Sequence, residues 1–379
     1  MTRIYLIRHA EAEGNVFRRA HGQYDSPLTP KGYRQVEALA ERFKDEKIDA
    51  LYSSDLRRTM ATAGAILKYH NLTLQTTPHL REVALGVWED CAWGNLTRDE
   101  PENMWAFNND PDRWHTEGGE PFAEVRARLT AVLAELAERH EGQTIACFSH
   151  GMAIRSYLCS VLGVPSERIA EVPHGDNTCV ALLEYTGGEP RVCWYNSNSH
   201  LASTLSTLGK QEWWKAEDCR DPFDLCIENA AASDLAGYYA DCYRRCWGEI
   251  HGTEAGFDAG VYVASARRSL AQEARSVAFA TMDGRNIGVV HCDMQRGAES
   301  GAGWISLCYV EPDVHGMQVG TQLIGHAVSL FRSLGRSSLC LSVAQDNAAA
   351  QEFYKTCGFA PCDVCEGAFG LLNVMERPL

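Results

Sequence analysis

Three short apolar runs in the first half of the chain end abruptly in polar or charged residues. They are Ile4–Ile7, which leads into Arg8-His9, then Asp49–Ser54, and Gln143–Ser149, which leads into His150-Gly151. Apolar runs of this length, bounded by polar residues, predict buried strands. Ligands bind at the carboxyl ends of the strands in an open α/β sheet, so the sequence predicts a functional edge where these strands end.

Amphipathic segments between these runs predict helices. Thr29-Pro30 is typical of a helix start, and apolar residues recur at helical spacing behind it. Leu56–Leu67 and Phe122–Leu136 show the same spacing. Gly187-Gly188 separates two strand-like runs and predicts a hairpin. The alternation of strands and helices predicts an α/β fold with a mostly parallel sheet.

The pattern changes in the second half of the chain. Leu225–His251 is predicted to be helical, and Asp283-Gly284 predicts a tight hairpin between two strands, Ser276–Thr281 and Ile287–Cys292. Further strands and helices are predicted, in chain order, at Trp304–Val310, at 319–330, at Ser338–Val343 and at Asn347–Thr356. The change in pattern predicts two domains, residues 1–205 and residues 206–379, without a low-complexity linker between them.

Composition places the chain among ordinary globular proteins. Of the 379 residues, 45% are hydrophobic and 22% are charged, which allows each domain a substantial core. The formal net charge of −15 argues against a nucleic-acid-binding protein, which would need a basic face. No stretch resembles a signal peptide or approaches the roughly 18 apolar residues of a membrane helix. We therefore expect a cytoplasmic protein with neither membrane nor nucleic-acid partners.

The cysteines do not predict a disulfide framework. All 15 are scattered along a chain that is long enough to fold without covalent cross-links. Cys362 and Cys365 have the C-x-x-C spacing, but no second pair accompanies them, so a zinc site is not expected. Most of the thiols are expected to act as small buried hydrophobic groups.

Four basic residues near the predicted strand ends suggest chemistry on phosphate. The guanidinium groups of Arg8 and Arg58 offer paired donors for phosphate oxygens, and a protonated His150 would add positive charge. A neutral His9 is a competent nucleophile toward phosphorus. Glu82, in the loop after the second predicted helix, is placed to serve as the acid for the leaving group.

Residues 1 to about 200 resemble the histidine phosphatase superfamily, in its phosphoglycerate mutase-like branch. The matching motifs, in order, are Arg8-His9, Asn15, Ser53–Arg58, Leu80–Glu82, Trp88-Glu89, Gly118–Glu120 and Phe148–Gly151. The resemblance implies a three-layer α/β sandwich and a metal-independent reaction on a small phosphomonoester. One departure is Ala10, where the family usually has glycine; alanine should be tolerated there unless the backbone requires a positive φ.

The resemblance also implies roles for individual residues. His9 would become phosphorylated, and Glu82 would protonate the leaving oxygen. The phosphate would be bound by Arg8, Asn15, Gln23, Arg58, His150 and Gly151. Arg57, next to Arg58, is expected to be solvated.

Hydrolysis and mutase activity share their first step, and the sequence favours hydrolysis. A mutase must grip a second anionic group, whereas the segment Trp93–Trp114 carries Asp99, Glu100, Glu102, Asp110 and Asp112. The tryptophans of this region could contact an apolar leaving group, although such residues more often fill a core. A phosphoglycerate-type mutase remains the alternative.

Residues from about 206 onward resemble a GNAT-type N-acetyltransferase, which implies an α+β fold with a mixed sheet. The motifs are Val310–Gly320, Asn347–Tyr354 and Cys357–Phe359. The resemblance implies that Tyr354 protonates the departing thiolate of acetyl-CoA, with Asn347 helping to hold the cofactor, and that an amine accepts the acetyl group. The resemblance implies that the loop His315–Gly320 binds the pyrophosphate. The implied cofactor-binding residues are Val310, His315, Gly316, Met317, Gln318, Val319, Gly320, Asn347 and Tyr354.

Two features of this second half keep alternatives open. Gln318 stands where the family has its middle glycine, so a CoA-sensing or purely structural domain is the alternative to an active enzyme. Glu311 or Asp313 could act as the base through a water, or could be ordinary loop carboxylates. The sequence does not identify either substrate, the oligomeric state or any coupling between the two halves.

Overall fold

The chain folds into two compact units, which a computed structural model describes for residues 1–210, 223–367 and 370–379. Met1–Cys91 and the residues from Leu96 to the first gap form one unit. Ala92–Asn95 and the residues from Phe223 onward form the other. The domain boundary after residue 205 stays a prediction.

The first unit is organised around a six-stranded sheet. The strands within residues 1–210 are β1 (Thr2–Arg8), β2 (Ala50–Ser53), β3 (Leu74–Thr76), β4 (Thr144–Ser149), β5 (Val180–Thr186) and β6 (Glu189–Ser197). The helices within residues 1–210 are α1 (Glu13–Phe17), α2 (Pro30–Phe43), α3 (Arg57–Leu67), α4 (Trp93–Asp99), α5 (Pro101–Asn109), α6 (Phe122–Arg139) and α7 (Gly151–Leu162), and the first three residues of α4 belong to the other unit. The strand order is β3-β2-β4-β1-β5-β6.

Parallel pairing brings the polar strand ends together. β1 pairs with β4 so that Arg8 lies opposite Ser149, and β2 pairs with β4 so that Ser53 lies opposite Phe148. β5 runs antiparallel to both β1 and β6, and the β5–β6 turn has a positive φ at Gly187 and Gly188. The mostly parallel sheet and the hairpin are therefore confirmed, and the residues after β1 and β4 share one edge.

Helices cover the sheet to form the expected sandwich. Alternate residues of β1, including Tyr5 and Ile7, pack in one core with Leu39 and Phe43 of α2. α3 packs against α2, while α6 and α7 pack against each other and against β1. Thr29 caps α2 by accepting a hydrogen bond from the Gly32 N–H at 2.9 Å, as the sequence predicted.

Two tryptophans of the first unit fill its core. Trp88 and Trp114 are buried and meet edge to face, with ring centroids 5.5 Å apart. Phe107 and Phe122 pack against Trp114 in the same geometry. This is the packing role considered for these residues, whereas Trp105 is 46% exposed.

The second unit contains a mixed seven-stranded sheet of order β12-β13-β11-β10-β9-β8-β7. Its strands are β7 (Cys226–Asn229), β8 (Val277–Met282), β9 (Arg285–Asp293), β10 (Ala302–Val310), β11 (Ser338–Ala344), β12 (Ala360–Gly367) and β13 (Gly370–Pro378). Its helices are α8 (Tyr238–His251), α9 (Ala259–Gln272), α10 (Val319–Ser333) and α11 (Ala348–Thr356). β10 and β11 are parallel, and the other pairs are antiparallel, which confirms the predicted α+β class.

The helix predicted over Leu225–His251 is wrong in its first part. Cys226–Asn229 is a strand that pairs with Ala278–Thr281 of β8, and α8 begins only at Tyr238. Pairing with a distant strand overrides the local pattern here. The hairpin at Asp283-Gly284 is confirmed, and both residues have a positive φ.

Two properties of the described residues bear on membrane and metal binding. None of their helices is both long and apolar enough to cross a membrane. No group of three or more metal-ligating side chains is found in this part of the chain, which includes Cys362 and Cys365.

Candidate active sites

His9 lies directly beyond β1 and is oriented by its own backbone. Its Nδ1 is 2.7 Å from the carbonyl oxygen of Ala10, which places the ring proton on Nδ1 and leaves Nε2 with a lone pair. Burial, with Arg58 and Arg8 nearby, holds the pKa of His9 well below its usual range. The imidazole is therefore neutral, which is the form a nucleophile needs.

Two arginines converge on this histidine. Arg58 is buried in the first turn of α3, and it donates to the carbonyl oxygens of Gly22 at 2.6 Å and Tyr24 at 2.8 Å. Burial lowers the pKa of Arg58 to about 10, so the side chain still carries its charge at neutral pH. Arg8 donates to the carbonyl oxygen of Gly175 at 2.6 Å. Arg57 is exposed, as expected.

Gly151 makes room for the Arg8 guanidinium at the start of α7. A Cβ at position 151 would lie 3.2 Å from the Arg8 Nε and 3.3 Å from its Cζ. The Nε is buried and has no hydrogen-bond partner among the described residues. A buried donor without a partner is costly, so this atom is suited to an anionic oxygen of a ligand.

His150 completes the basic group from the end of β4. Its ring centroid is 5.2 Å from that of His9, its Nε2 is 2.9 Å from the Ser54 Oγ, and its buried Nδ1 lacks a partner within the described part of the chain. Burial and the charge of Arg58 hold the pKa of His150 well below its usual range. Both effects favour the neutral ring, and the protonated form that the sequence suggested for phosphate binding stays a prediction.

Glu82 sits on the amino end of α7, beside the basic group. One carboxylate oxygen accepts from the Ala153 N–H at 2.7 Å and from the Val83 N–H at 3.0 Å, and the other accepts from the Met152 N–H at 2.9 Å. Its charge acts on the Arg58 guanidinium. The carboxyl group predicted to be the acid thus lies at the same edge as the arginines.

Asn15 and Gln23 are held by contacts close to this edge. The Asn15 Oδ1 accepts from the Ala12 N–H at 3.0 Å and from the Asn177 Nδ2 at 3.4 Å. The Gln23 Nε2 donates to the Glu82 carbonyl oxygen at 3.2 Å. Their predicted role in binding phosphate stays a prediction.

Two residues without a predicted role shape the site from outside. Glu89 accepts from the N–H groups of 22, 23 and 24, at 3.1, 2.7 and 2.9 Å, and so orders the loop whose carbonyls hold Arg58. Arg128 donates to the carbonyl oxygens of Arg81 at 2.7 Å and Glu82 at 2.9 Å, and pairs with Glu120 at 2.6 Å. The Trp88-Glu89 and Gly118–Glu120 motifs were the only sequence signals for these contacts.

The departure at Ala10 is accommodated. Ala10 is buried, and it is absent from the described non-glycine residues that have a positive φ. Its N–H donates to the Thr62 Oγ1 at 2.9 Å. The methyl group therefore costs no backbone strain, and the expectation of tolerance is confirmed.

Buried neutral histidines should make the fold sensitive to acid. Burial holds the pKa of His9, His150 and His174 well below the usual range, and lowers the pKa of His200 and His291 to about 4. Below about pH 6.5 the unfolded chain takes up protons that the folded chain excludes, so stability falls as the pH falls. Thermal unfolding measured between about pH 8 and pH 5 should show a constant Tm at the alkaline end and a falling Tm below about pH 6.5. A Tm that rises on acidification would contradict this.

In the second unit, β10 and β11 separate partway along their length. They pair only from Ala302 to Ile305 and from Ser338 to Leu341, and both then continue without pairing to each other. A break in the β9–β10 register falls between Ile305 and Leu307. Beyond these pairs the two strands make no ladder hydrogen bonds to each other.

The loop before α10 offers an anion site on backbone N–H groups. Gly316 and Gln318 both have a positive φ, and the first turn of α10 contains no acidic residue. The first N–H groups of a helix lack partners within the helix, and they favour anions. Gly320 packs closely under α11, because a Cβ there would lie 3.0 Å from the Phe353 ring. The imidazole Nε2 of His315 is 3.1 Å from the Val310 carbonyl oxygen.

Tyr354 has the environment of a proton donor. Burial raises its pKa well above the usual range, and Cys308, Cys246 and Cys357 lie close enough to add to that rise. The phenol therefore stays protonated at neutral pH. Asn347 caps α11 by accepting from the Ala350 N–H at 3.0 Å.

The two carboxylates considered as bases are both engaged in ion pairs. Glu311 is buried and lies 2.9 Å from the Arg245 guanidinium, and Asp313 pairs with Arg285 at 2.6 Å. These contacts suit ordinary loop carboxylates, and a role of either residue as the base stays a prediction.

Comparison with known proteins finds a different family in each half of the chain. Residues 4–198 match the histidine phosphatase superfamily (branch 1), and residues 233–359 match the acetyltransferase (GNAT) family. The probable phosphoglycerate mutase GpmB of Yersinia pestis (strain Pestoides F) is 37% identical over 166 residues, which span 44% of this chain and 77% of that protein.

The structure of Bacillus stearothermophilus YhfR is similar to the first unit. It aligns with a TM-score of 0.51 and 29% identity, covering 53% of this chain and 99% of that chain. The fold, the geometry at the sheet edge and these matches agree: the chain belongs to the histidine phosphatase superfamily, and it carries a GNAT-family domain in its second half.

Proposed function

We propose that the first unit is a phosphomonoesterase that works through a phosphohistidine on His9. The observation that carries this proposal is the set of buried groups around the His9 ring. A neutral imidazole with its proton held on Nδ1 lies among two arginines and a second histidine, and two buried nitrogens, the Arg8 Nε and the His150 Nδ1, lack protein partners in the described chain. A phosphate group would supply the missing acceptor and the missing negative charge.

The proposed reaction has two steps. The His9 Nε2 attacks phosphorus, the bond to the ester oxygen breaks, and Glu82, in its protonated form, gives that oxygen its proton. Water then attacks phosphorus, the bond between phosphorus and the His9 Nε2 breaks, and the Glu82 carboxylate takes a proton from the water, which releases inorganic phosphate and restores both residues. Arg8 and Arg58 offset the charge on the phosphoryl oxygens in both steps.

Hydrolysis is proposed over a mutase reaction because of the segment Trp93–Trp114. The acidic side chains of this segment would repel a second anionic group of the substrate rather than bind it. The Glu100 carboxylate accepts from the Trp88 Nε1 at 2.9 Å, and Asp112 pairs with Arg126 at 2.8 Å. The curated relative is named a probable phosphoglycerate mutase, so isomerisation is the competing reaction to test.

A phosphate-release screen tests the hydrolase proposal directly. The panel contains sugar phosphates, nucleotides, phosphorylated cofactor precursors and 3-phosphoglycerate, with and without EDTA. We expect release from at least one monoester, no effect of EDTA, and no 2-phosphoglycerate from 3-phosphoglycerate. Formation of 2-phosphoglycerate without phosphate release would establish the mutase instead.

For the second unit, we propose acetyl-CoA-dependent transfer of an acetyl group to an amine. The cofactor fits the chain, because the amino end of α10 presents N–H groups with no acidic residue in its first turn, and the nearby strands separate. The residues proposed to hold it are Val310, His315, Gly316, Met317, Gln318, Val319, Gly320 and Asn347. Acetyl-CoA would supply an activated thioester, and Tyr354 is proposed to hold the proton that its thiolate needs.

Substitutions at Gln318 test the cofactor loop. Gln318 adopts φ 60° and ψ 14°, a left-handed conformation that costs a non-glycine residue about 1 kcal/mol. We expect Q318G to bind acetyl-CoA at least as tightly as wild type with a slightly higher Tm. Q318V should bind about tenfold more weakly, because a β-branched residue is strained further at positive φ.

Calorimetric titration with acetyl-CoA and thermal unfolding provide the measurements. A wild-type protein that shows neither heat nor a Tm shift would exclude cofactor binding and favour a structural role for this unit. Equal affinity in Q318V and Q318G would instead show that the loop does not contact the cofactor.

A further inference from the structure

The buried carboxylate of Asp176 accepts hydrogen bonds from several side-chain and backbone donors. It is 5% exposed and lies in the loop that precedes β5. The side-chain donors are the Ser206 Oγ at 2.6 Å and the Asn198 Nδ2 at 3.2 Å. The backbone donors are the N–H groups of Asn177 at 2.8 Å, Thr207 at 3.1 Å and Leu208 at 3.1 Å.

The next residue, Asn177, connects this network to the nucleophile. Asn177 is 1% exposed, and its Nδ2 donates to the His9 carbonyl oxygen at 3.0 Å and to the Asn15 Oδ1 at 3.4 Å. The Thr178 N–H donates to the same His9 carbonyl at 3.3 Å. The carbonyl of Gly175, on the other side of Asp176, accepts from Arg8.

We propose that Asp176 is a positioning residue for the nucleophile His9, and that it acts through Asn177. This inference rests on the phosphatase function proposed above. The His9 carbonyl oxygen accepts a hydrogen bond from the Asn177 side chain. The Asn177 N–H in turn donates to the Asp176 carboxylate, which also accepts hydrogen bonds from residues 206–208. These residues lie beyond the 4–198 match to the phosphatase superfamily, so the reactive geometry depends on chain outside that match.

A double-mutant cycle in the full-length protein tests the proposal. D176N keeps the size of the side chain, but its amide nitrogen must replace either the oxygen that accepts the three backbone N–H groups or the oxygen that accepts from Ser206 and Asn198. N177A removes the side-chain donor to the His9 carbonyl. Each variant should lower kcat about tenfold or more with a smaller change in KM, since misplacing a reacting group by about 1 Å can cost about a hundredfold. Because one residue acts through the other, the double variant should be no slower than the slower single variant.

Additive losses in the double variant, or an unchanged kcat in either single variant, would overturn the proposal. If D176N does not fold, S206A decides instead, because it removes the shortest bond to Asp176 and, besides that, only the hydrogen bond that the Ser206 Oγ accepts from the Gly209 N–H. S206A should lower kcat about threefold, while S203A, at an exposed serine in the same segment, should not; equal kcat values for both would refute the role.

A readout without turnover separates this inference from the proposed function. The ring ¹⁵N signals of His9, assigned by their loss in H9A, report its tautomer and surroundings. They should shift or broaden in D176N and N177A alike, and remain as in wild type in S203A. His9 signals unchanged in both test variants would overturn the positioning role, whereas an inactive wild-type protein would overturn only the phosphatase function.

Discussion

Replacing His9 with alanine should lower the hydrolysis of an aryl phosphate by at least about 10⁴-fold, because removing a nucleophile leaves only binding and charge stabilisation. The imidazole Nε2 is the atom proposed to bond to phosphorus, and its orientation comes from the 2.7 Å contact between Nδ1 and the Ala10 carbonyl oxygen. Alanine has neither the attacking nitrogen nor the ring nitrogen that orients it. The same variant should fail to retain radioactive phosphate after an acid-free quench with labelled substrate, whereas wild type should retain it.

The control for H9A is a histidine that does not contribute to the site. His115 is exposed, and its Nδ1 lies 3.4 Å from the Arg113 carbonyl oxygen. H115A should keep wild-type turnover and labelling. Full activity in H9A, with H115A equally active, would refute the phosphohistidine mechanism while leaving the fold assignment intact.

The positions of His9 and His150 were predictable because strand periodicity and parallel pairing determine them together. Each histidine directly follows a buried strand, and the observed register sets Arg8 opposite Ser149. A sequence pattern that identifies two parallel neighbouring strands therefore also identifies which residues share their edge. The choice of Arg58 over Arg57 came from the family resemblance, and the structure places the buried guanidinium of Arg58 there.

The supporting contacts of the site could not be predicted in this way. Asp176, Asn177, Glu89 and Arg128 act on backbone N–H and carbonyl groups, in several cases from distant parts of the chain. Such contacts leave no periodic trace in the sequence, because any residue of suitable length and charge, in a loop or on a helix, could make them. They depend on how loops fold over one another, which local propensity does not encode.

Two features of the second unit could not be predicted from the local sequence pattern. Cys226–Asn229 reads as part of a helix and becomes a strand, because its partner β8 lies about fifty residues further along the chain. Gln318 was visible as a departure from the family pattern, but its left-handed backbone was not. The structure therefore indicates that the cost of Gln318 lies in its backbone conformation rather than in the bulk of its side chain. The variants Q318G and Q318V test this.

Changing Glu82 to glutamine should slow poor leaving groups far more than good ones. An ester oxygen of high pKa needs a proton as the bond to phosphorus breaks, whereas a nitrophenolate does not, and general acids contribute about 10²–10⁴-fold. We expect E82Q to lose about that much with an alkyl phosphate and less than about tenfold with a nitrophenyl phosphate. Steady-state rates over a series of leaving groups give the comparison as a slope against leaving-group pKa, which should be steeper in E82Q.

The same substitution has a structural cost that must be separated from the loss of the acid. Both oxygens of Glu82 accept backbone N–H groups, and the glutamine amide can replace only one of them, so the Met152 or Ala153 N–H loses its partner. A buried donor left unpaired costs about 1–3 kcal/mol and should lower the Tm. Displacement of α7 would slow all substrates alike, since it moves His150 and Gly151 whatever the leaving group. Equal rate losses for all leaving groups in E82Q would therefore mean that Glu82 acts by holding α7 in place. A steeper dependence of the rate on leaving-group pKa would mean that it transfers the proton.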